Sequence, residues 1–463
     1  MMSVAELARA VEGELLAPSR ANSSDAISGV AIDSRTVEAG DLFVALAGER
    51  FNGHDFIGVA VRAGAACALV QQVPSGDRAI PLVRVADTRQ ALGKLAGWWR
   101  DRYQGRLVGL TGSNGKTTVK EMTAAILRAA CGDESAVLAT SGNFNNDIGM
   151  PLTLLKLRPR HRYAMIEMGM NHRGEIDYLT RIAKPDLALI NNAQRAHLGE
   201  MGGGEMGGMQ AVAEAKAEIF AGLKPGGIAL INADDAFAAY WIKAAAGYEQ
   251  LSFGITNGDV RARMLDETMS ETTVEFTTPL GKLTTLLRVP GEHNVRNAAA
   301  ACAIAVTFKV DADAIVRGLT SYTGTKGRLQ RKFGLNGAVV IDDSYNANPD
   351  SAAAAIAVLA KATGDKLLVM GDMGELGNAA ASLHAEIGAL AKNAGIGRLF
   401  ALGDFTSRTV QAFGADGEHF PDISHLVAAL RPLLQKDMTV LVKGSRFMRM
   451  ERVVEAITVS MGH

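Results

Sequence analysis

The chain has 463 residues, 48% hydrophobic and 21% charged, and its 48 Lys+Arg against 49 Asp+Glu leave a net charge of −1. That length suggests about three domains and allows buried cores without disulfide or metal staples, while the absence of a basic excess argues against a dedicated nucleic-acid binder. Gly (50) and Pro (12) are near ordinary usage, which excludes collagen-like and broadly disordered chains.

In chain order, the first residues carry Glu6 and Glu12 with no basic region before an apolar run, so they do not read as a secretory signal. Val30-Ala31-Ile32 leads into Asp33-Ser34-Arg35, and the apolar run 42–46, bounded by Gly40-Asp41 and Gly48, predicts a buried strand. Residues 88–103 read as a helix ending at Gln104-Gly105, a domain boundary. From Arg106 the pattern becomes strand, loop, helix, repeated. Residues 107–110 form a short strand, and Val119, Met122, Ile126 and Ala129 share one helical face. Further strands read at Tyr163–Glu167, Leu187–Ile190 and 228–231, which predicts a parallel sheet with helices on both faces.

The Gly- and Met-rich stretch 202–208 reads as a mobile loop. The most apolar segment, 298–308, is too short to span a bilayer. Cys67, Cys131 and Cys302 lie far apart without CxxC spacing, a pattern of reducing compartments and not of zinc sites. A soluble cytosolic protein without membrane insertion is expected. Residues 323–327 read as a linker. Beyond it, strands at 338–341, 366–370, 399–402 and 439–442 each lead into a Gly or Asp loop, a second doubly wound unit. The expected fold class is α/β in three domains: 1–105, an N-terminal α/β domain; 106–325, a central P-loop parallel-sheet domain; and 326–463, a C-terminal Rossmann-like doubly wound domain.

The strongest chemical signal is Thr111-Gly112-Ser113-Asn114-Gly115-Lys116-Thr117-Thr118, set between a strand and a helix. Glycines let backbone N–H groups converge on phosphate oxygens, and the helix N-terminus adds its dipole. Lys116 then reaches the β/γ-phosphates and the Thr117 hydroxyl holds Mg²⁺. Leu110 stands where the usual first Gly belongs. By itself the loop implies a bound nucleoside triphosphate and leaves ligase, switch and motor open. Gly202-Gly203-Gly204-Glu205-Met206-Gly207 formally matches a dinucleotide fingerprint, but follows no strand and is rejected.

Glu167 ends an apolar strand and points to the crevice where parallel sheets bind ligands. His197 follows the strand Leu187–Ile190 after a short polar run and reaches toward the same edge, although imidazole is an uncommon Mg²⁺ ligand. On its residues alone, Lys216, flanked by Glu214 and Glu218, reads as an ordinary lysine on a solvated helix face. Asp342-Asp343-Ser344-Tyr345-Asn346-Ala347-Asn348-Pro349 reads as a ligand-facing loop, with helix capping by Asp350 or Ser351 accounting for only part of it.

These motifs, in order with Gly-Asn-Phe-Asn-Asn (142–146), Glu-Met-Gly-Met-Asn-His (167–172), Ala-His-Leu (196–198), Gly-Glu-His-Asn-Val-Arg-Asn-Ala (291–298), Gly-Asp-Met-Gly-Glu-Leu-Gly (371–377) and Lys-Gly-Ser-Arg-Phe-Met-Arg-Met-Glu (443–451), resemble the Mur ligases over essentially the whole chain. The Asp-Asn-Pro-Arg type loop usual in the members that add a third residue is missing. The resemblance therefore implies the step that joins D-Ala-D-Ala to UDP-MurNAc-tripeptide, through an acyl phosphate made with ATP and Mg²⁺. It implies that Ser34 and Arg35 lie near the uridine diphosphate and that the loop Gly112, Ser113, Asn114, Gly115, Lys116, Thr117 and Thr118 holds ATP. Asn294 is placed on the adenine side, Arg328 at the phosphates and Asp343 at the ribose or phosphates. Thr117, Glu167 and His197 are implied for Mg²⁺, and Asn145, Asn146, Tyr345 and Asn346 for substrate. Lys116, Glu167, His197, Lys216 and Arg328 form the implied catalytic set, Lys216 matching a lysine that relatives can carry as a carbamate. The spacer between His197 and Lys216 is longer and richer in Gly and Met than the family pattern. A monomer with small-molecule substrates is expected. The rivals are another step of the same family, a folylpolyglutamate synthase, a P-loop switch acting on a partner protein, and a non-catalytic nucleotide-sugar module.

Overall fold

The computed structural model describes residues 1–18, 26–48, 51–75, 79–196, 199 and 205–459. Among them the strands form three large sheets and one short two-stranded pairing. The N-terminal sheet has five strands in the order Glu14–Leu16, Leu82–Arg84, Cys67–Val70, Leu42–Val44, Val30–Ala31. All are parallel except the antiparallel edge strand Glu14–Leu16.

The central sheet has nine strands. The order from one edge is Val137–Ala139, Tyr163–Glu167, Arg106–Thr111, Leu187–Ile190, Ile228–Asn232, Glu249–Gly254, Val260–Glu267, Thr272–Thr278, Gly281–Leu287. The first seven run parallel, as the alternating strand–helix pattern predicts. The last two are antiparallel additions, which the sequence reading did not anticipate. Thr272–Thr278 alternates strictly between buried and half-buried residues, the period-2 signature of a sheet with one covered face.

The parallel strands are buried on both sides, which explains their continuous apolar runs. Leu107, Ile166, Ala188 and Ile190 pack with the helices Gly149–Leu154, Glu175–Ala183 and Thr88–Arg100. The alternate residues Val108, Leu110, Met165 and Leu189 pack with Lys116–Cys131, Glu292–Thr307 and Ala312–Ser321. Glu292–Thr307 is buried on nearly every side, which accounts for its Ala-rich apolar stretch. No described helix is long and apolar enough to cross a membrane.

The C-terminal sheet has the order Gln330–Phe333, Val339–Asp343, Met438–Lys443, Asp365–Gly371, Arg398–Leu402, Gly417–Phe420. It is parallel apart from the edge strand Gln330–Phe333. Two local expectations are corrected. Residues 205–208 are not loop, because the helix Glu205–Ala217 begins there; 202–204 lie outside the described residues. The helix Pro349–Ala360 is capped by Asn348, not by Asp350 or Ser351; Ser351 closes the box from the third helical position.

Candidate active site

In the central sheet the strand order reverses at Arg106–Thr111: Tyr163–Glu167 lies on one side, Leu187–Ile190 on the other. A ligand crevice is expected at the carboxyl ends of strands at such a point. The phosphate loop leaves the central strand there. Gly115 has φ +78°, and a Cβ would meet Asn297 Oδ1 at 2.3 Å and Asn191 Nδ2 at 2.6 Å, so only glycine lets the loop turn into its helix. Lys116 Nζ folds back to donate to the carbonyl of Gly112 at 2.6 Å, arching over the loop where a phosphate would sit. Burial pulls its ammonium pKa down, against the pull of Glu167.

Strand register pairs Glu167 with Leu110, which brings its carboxylate beside the loop. Glu167 is 3% exposed. Its Oε2 accepts from Thr117 Oγ1 at 3.0 Å, its Oε1 accepts from Asn145 Nδ2 at 2.9 Å, and its N–H is held by Thr140 Oγ1 at 3.0 Å. One hydroxyl and one carboxylate, side by side at a helix N-terminus, are a hard-oxygen donor pair suited to Mg²⁺ with phosphate and water completing the shell. His197, the third expected metal residue, lies outside the described residues.

Lys216 is 1% exposed, on the buried side of the helix Glu205–Ala217. This overturns the reading of it as a solvated lysine. Burial, and then the charge of Lys116, hold its pKa well below the usual value, with Asp235 opposing. Burial of this kind favours the uncharged amine, and the uncharged amine is the form that can take up CO₂ as a carbamate.

These groups line one cavity of about 970 Å³, walled by residues from all three sheet-bearing regions. Of the expected site residues, the cavity gathers Ser113, Asn114, Gly115, Lys116, Thr118, Asn145, Glu167, Lys216, Asn294, Arg328, Asp343, Tyr345, Asn346 and Asn146, whose Oδ1 also accepts from Gly149 N–H at 2.8 Å. Thr117 reaches the site through Glu167, and Gly112 through Lys116. Arg328 stacks its guanidinium over Tyr345 at 4.3 Å from the ring centre. Asp343 accepts from Lys443 Nζ at 2.5 Å and from the N–H of Leu329 at 3.1 Å, so much of its carboxylate is already engaged. Ser34 and Arg35 are not among the lining residues; Arg35 is exposed and forks onto Asp33.

Sequence reasoning missed several residues of the wall. Asn297 is one turn beyond Asn294, just before the apolar run 298–306 of the same helix, and its Oδ1 accepts from Asn191 Nδ2 at 3.0 Å. Asn192 and Gln194 belong to the polar run after Leu187–Ile190; they bond Asn114 N–H at 2.8 Å and the Asn114 amide at 2.6 Å. Arg89 enters from the N-terminal region, paired with Asp147 at 2.7 Å. Glu375 enters from the C-terminal region with φ +62°, a strained conformation for a non-glycine residue. No local signal announces Arg89, and Glu375 lies in the segment 371–377 without a role of its own in the sequence reading.

Comparison with known proteins matches three family models in chain order: the Mur ligase family catalytic domain over 26–99, the Mur ligase middle domain over 110–305 and the Mur ligase glutamate ligase domain over 327–446. The chain is 43% identical to the UDP-N-acetylmuramoyl-tripeptide–D-alanyl-D-alanine ligase of Escherichia coli K12, covering 93% of this chain and 94% of that one. It superposes on the crystal structure of MurF from Acinetobacter baumannii with a TM-score of 0.89, at 37% identity and 98% coverage of both chains. The MurF ligase of Thermotoga maritima in complex with ADP gives a TM-score of 0.80 at 28% identity, covering 92% of this chain and 96% of that one.

Proposed function

This chain belongs to the Mur ligase family, and we propose from that premise that it is the ATP-dependent ligase that joins D-Ala-D-Ala to UDP-MurNAc-tripeptide in cytoplasmic peptidoglycan precursor synthesis. The observation that carries the reading is the single cavity in which a phosphate loop, a carboxylate–hydroxyl pair and the C-terminal segments 327–329 and 443–447 face one another. Two substrates bound from opposite sides would meet there.

A carboxylate is a poor electrophile, so the peptide carboxylate must first be phosphorylated. Its oxygen attacks the γ-phosphorus of ATP, the bond to the β-phosphate oxygen breaks, and ADP leaves with the electron pair. The dipeptide amine then attacks the acyl carbon, loses a proton, and expels phosphate. The chain's part is positioning and charge. Lys116 would swing from the Gly112 carbonyl to the phosphates, and Arg328 would meet the transferring group from the linker. Glu167 and Thr117 would hold Mg²⁺, which when bound would neutralise developing phosphate charge. Lys216, as a carbamate, would add a second anion on the same side. The C-terminal wall would keep out water, which would otherwise hydrolyse an acyl phosphate. Asn294 would lie at the adenine and Asn145 along the peptide channel. Ser34 and Arg35 would take the uridine diphosphate outside this cavity, and the protein would act as a monomer.

The test is phosphate release from ATP with UDP-MurNAc-tripeptide, with and without D-Ala-D-Ala, the product being weighed by mass spectrometry. Release that requires both, with a product heavier by the dipeptide less water, is expected. Turnover with a shorter UDP-peptide and a single amino acid would move the enzyme one step earlier, and turnover without any peptide would favour a switch. Lys116→Ala is expected to abolish ligation with the fold intact.

A further inference from the structure

We propose that Asn348 is a positioning residue that makes the geometry of the phosphate loop conditional on docking of the C-terminal region; what the loop is used for rests on the ligase reading above. Asn114 and Asn348 lie 234 residues apart and exchange side-chain hydrogen bonds. Asn348 Nδ2 donates to Asn114 Oδ1 at 2.8 Å, and Asn114 Nδ2 donates to Asn348 Oδ1 at 3.2 Å.

Asn114 immediately precedes Gly115 and Lys116, so its placement sets the direction of the next two N–H groups. From the central sheet its backbone is held on both sides. Its N–H donates to Asn192 Oδ1 at 2.8 Å, and its carbonyl accepts from Asn191 Nδ2 at 2.8 Å and Asn192 Nδ2 at 3.1 Å. Its side chain is shared between Gln194 of the central region and Asn348 of the C-terminal one. The loop is therefore fully held only when both regions are in contact.

Asn348 cannot turn away independently. Its Oδ1 also accepts from Ser351 N–H at 2.9 Å, and its own N–H donates to Ser351 Oγ at 3.0 Å, which locks the side chain as the cap of Pro349–Ala360. That helix start is anchored to the central region through Arg195. Its N–H donates to Asp350 Oδ2 at 2.7 Å, its Nε to Asp350 Oδ1 at 3.0 Å and its Nη1 to Glu386 Oε2 at 2.9 Å. A neutral amide pair adds little long-range attraction but is sensitive to separation, because hydrogen bonds fade within about 0.5 Å beyond their usual length. It therefore reports helix position to the loop as a near all-or-none contact. ATP would be gripped for reaction only while the C-terminal wall is seated, which ties phosphate transfer to the closed, water-excluding state.

The experiment is a double-mutant cycle read as MgADP dissociation constants on the full chain. Asn348→Ser keeps a good helix cap but is too short to reach Asn114. In the wild-type background it is expected to weaken MgADP binding about fivefold or more, the lower end of typical coupling between sites. In the Asn114→Ala background it is expected to change binding less than about 1.5-fold, with little change in melting temperature in either. Equal weakening in both backgrounds would mean that Asn348 acts only through its helix, and no weakening in the wild-type background would mean that the pair is idle; either overturns the proposal. A wild-type chain that binds MgADP but forms no amide would sink the ligase reading and leave the cycle decisive. No MgADP binding by the wild type would overturn both.

Discussion

Thr117, at the start of the helix that follows the phosphate loop, gives its hydroxyl hydrogen to Glu167 Oε2 at 3.0 Å, across 50 residues of chain. The contact exists because the strands carrying Leu110 and Glu167 are paired in register. It joins two oxygen donors that would share one Mg²⁺. Glu167→Gln keeps an acceptor for Asn145 and removes the charge. The Mg²⁺ concentration for half-maximal phosphate release is expected to rise at least about tenfold and kcat to fall about 10²-fold, the scale of losing one charge-stabilising group. Thermal unfolding should be nearly unchanged. A Gln variant with wild-type Mg²⁺ dependence would remove Glu167 from the metal site.

The buried amine of Lys216 has a pH signature. Its pKa is held well below that of an exposed lysine, first by burial and then by Lys116. Between the folded pKa and the unfolded value of about 10.4, the unfolded chain binds the extra proton. Stability therefore rises with pH over that window, by about 1.4 kcal/mol per unit for one proton, and the gain ends above the unfolded value. Lys216→Met releases no such proton. In bicarbonate-free buffer its stability advantage over wild type should shrink as pH rises from about 7 to 9, measured by urea unfolding. A constant difference would contradict a lysine whose pKa is lowered in the folded chain. Added bicarbonate should raise phosphate release by the wild type and leave the Met variant unaffected.

Lys443 is 2% exposed, and its ammonium lies 2.5 Å from Asp343 Oδ2. Burial pushes the Asp343 carboxyl pKa up, while Lys443 pulls it back down. Asp343→Asn leaves the lysine charge buried with the Asn346 carbonyl at 3.0 Å as its remaining partner. The expected cost is about 3–5 kcal/mol of stability, read by chemical denaturation. Asp343→Asn combined with Lys443→Met should be less damaging than Asp343→Asn alone, since no unpaired charge then remains.

Arg195 joins the central region to Asp350 and Glu386 of the C-terminal one. Arg195→Ala leaves the Asp350 contact to its backbone N–H and removes the bridge to Glu386. The C-terminal region should then sample undocked positions about the linker, where Gly324 and Gly327 have φ +97° and +71°. Small-angle scattering of the ligand-free chain should show a larger radius of gyration, and KM for ATP should rise. An unchanged scattering profile would show that this bridge does not hold the regions together.

The sequence by itself determined what is encoded locally. Continuous apolar runs bounded by Gly and Asp located the strands Tyr163–Glu167 and Leu187–Ile190, because strands buried on both faces leave that imprint. The phosphate loop was legible for a similar reason: its glycines, lysine and flanking strand and helix are contiguous. What the sequence left undecided depends on contacts between distant segments. The antiparallel strands Thr272–Thr278 and Gly281–Leu287 extend the central sheet at its edge, where no crossover helix announces them. Lys216 looks solvated between two glutamates, and only the packing of Glu205–Ala217 against the sheet buries it. Arg89, Gln194, Glu375 and Asn348 enter one cavity from three regions. No spacing rule links them, because sheet register and domain docking bring their side chains together, and both are properties of the folded chain as a whole.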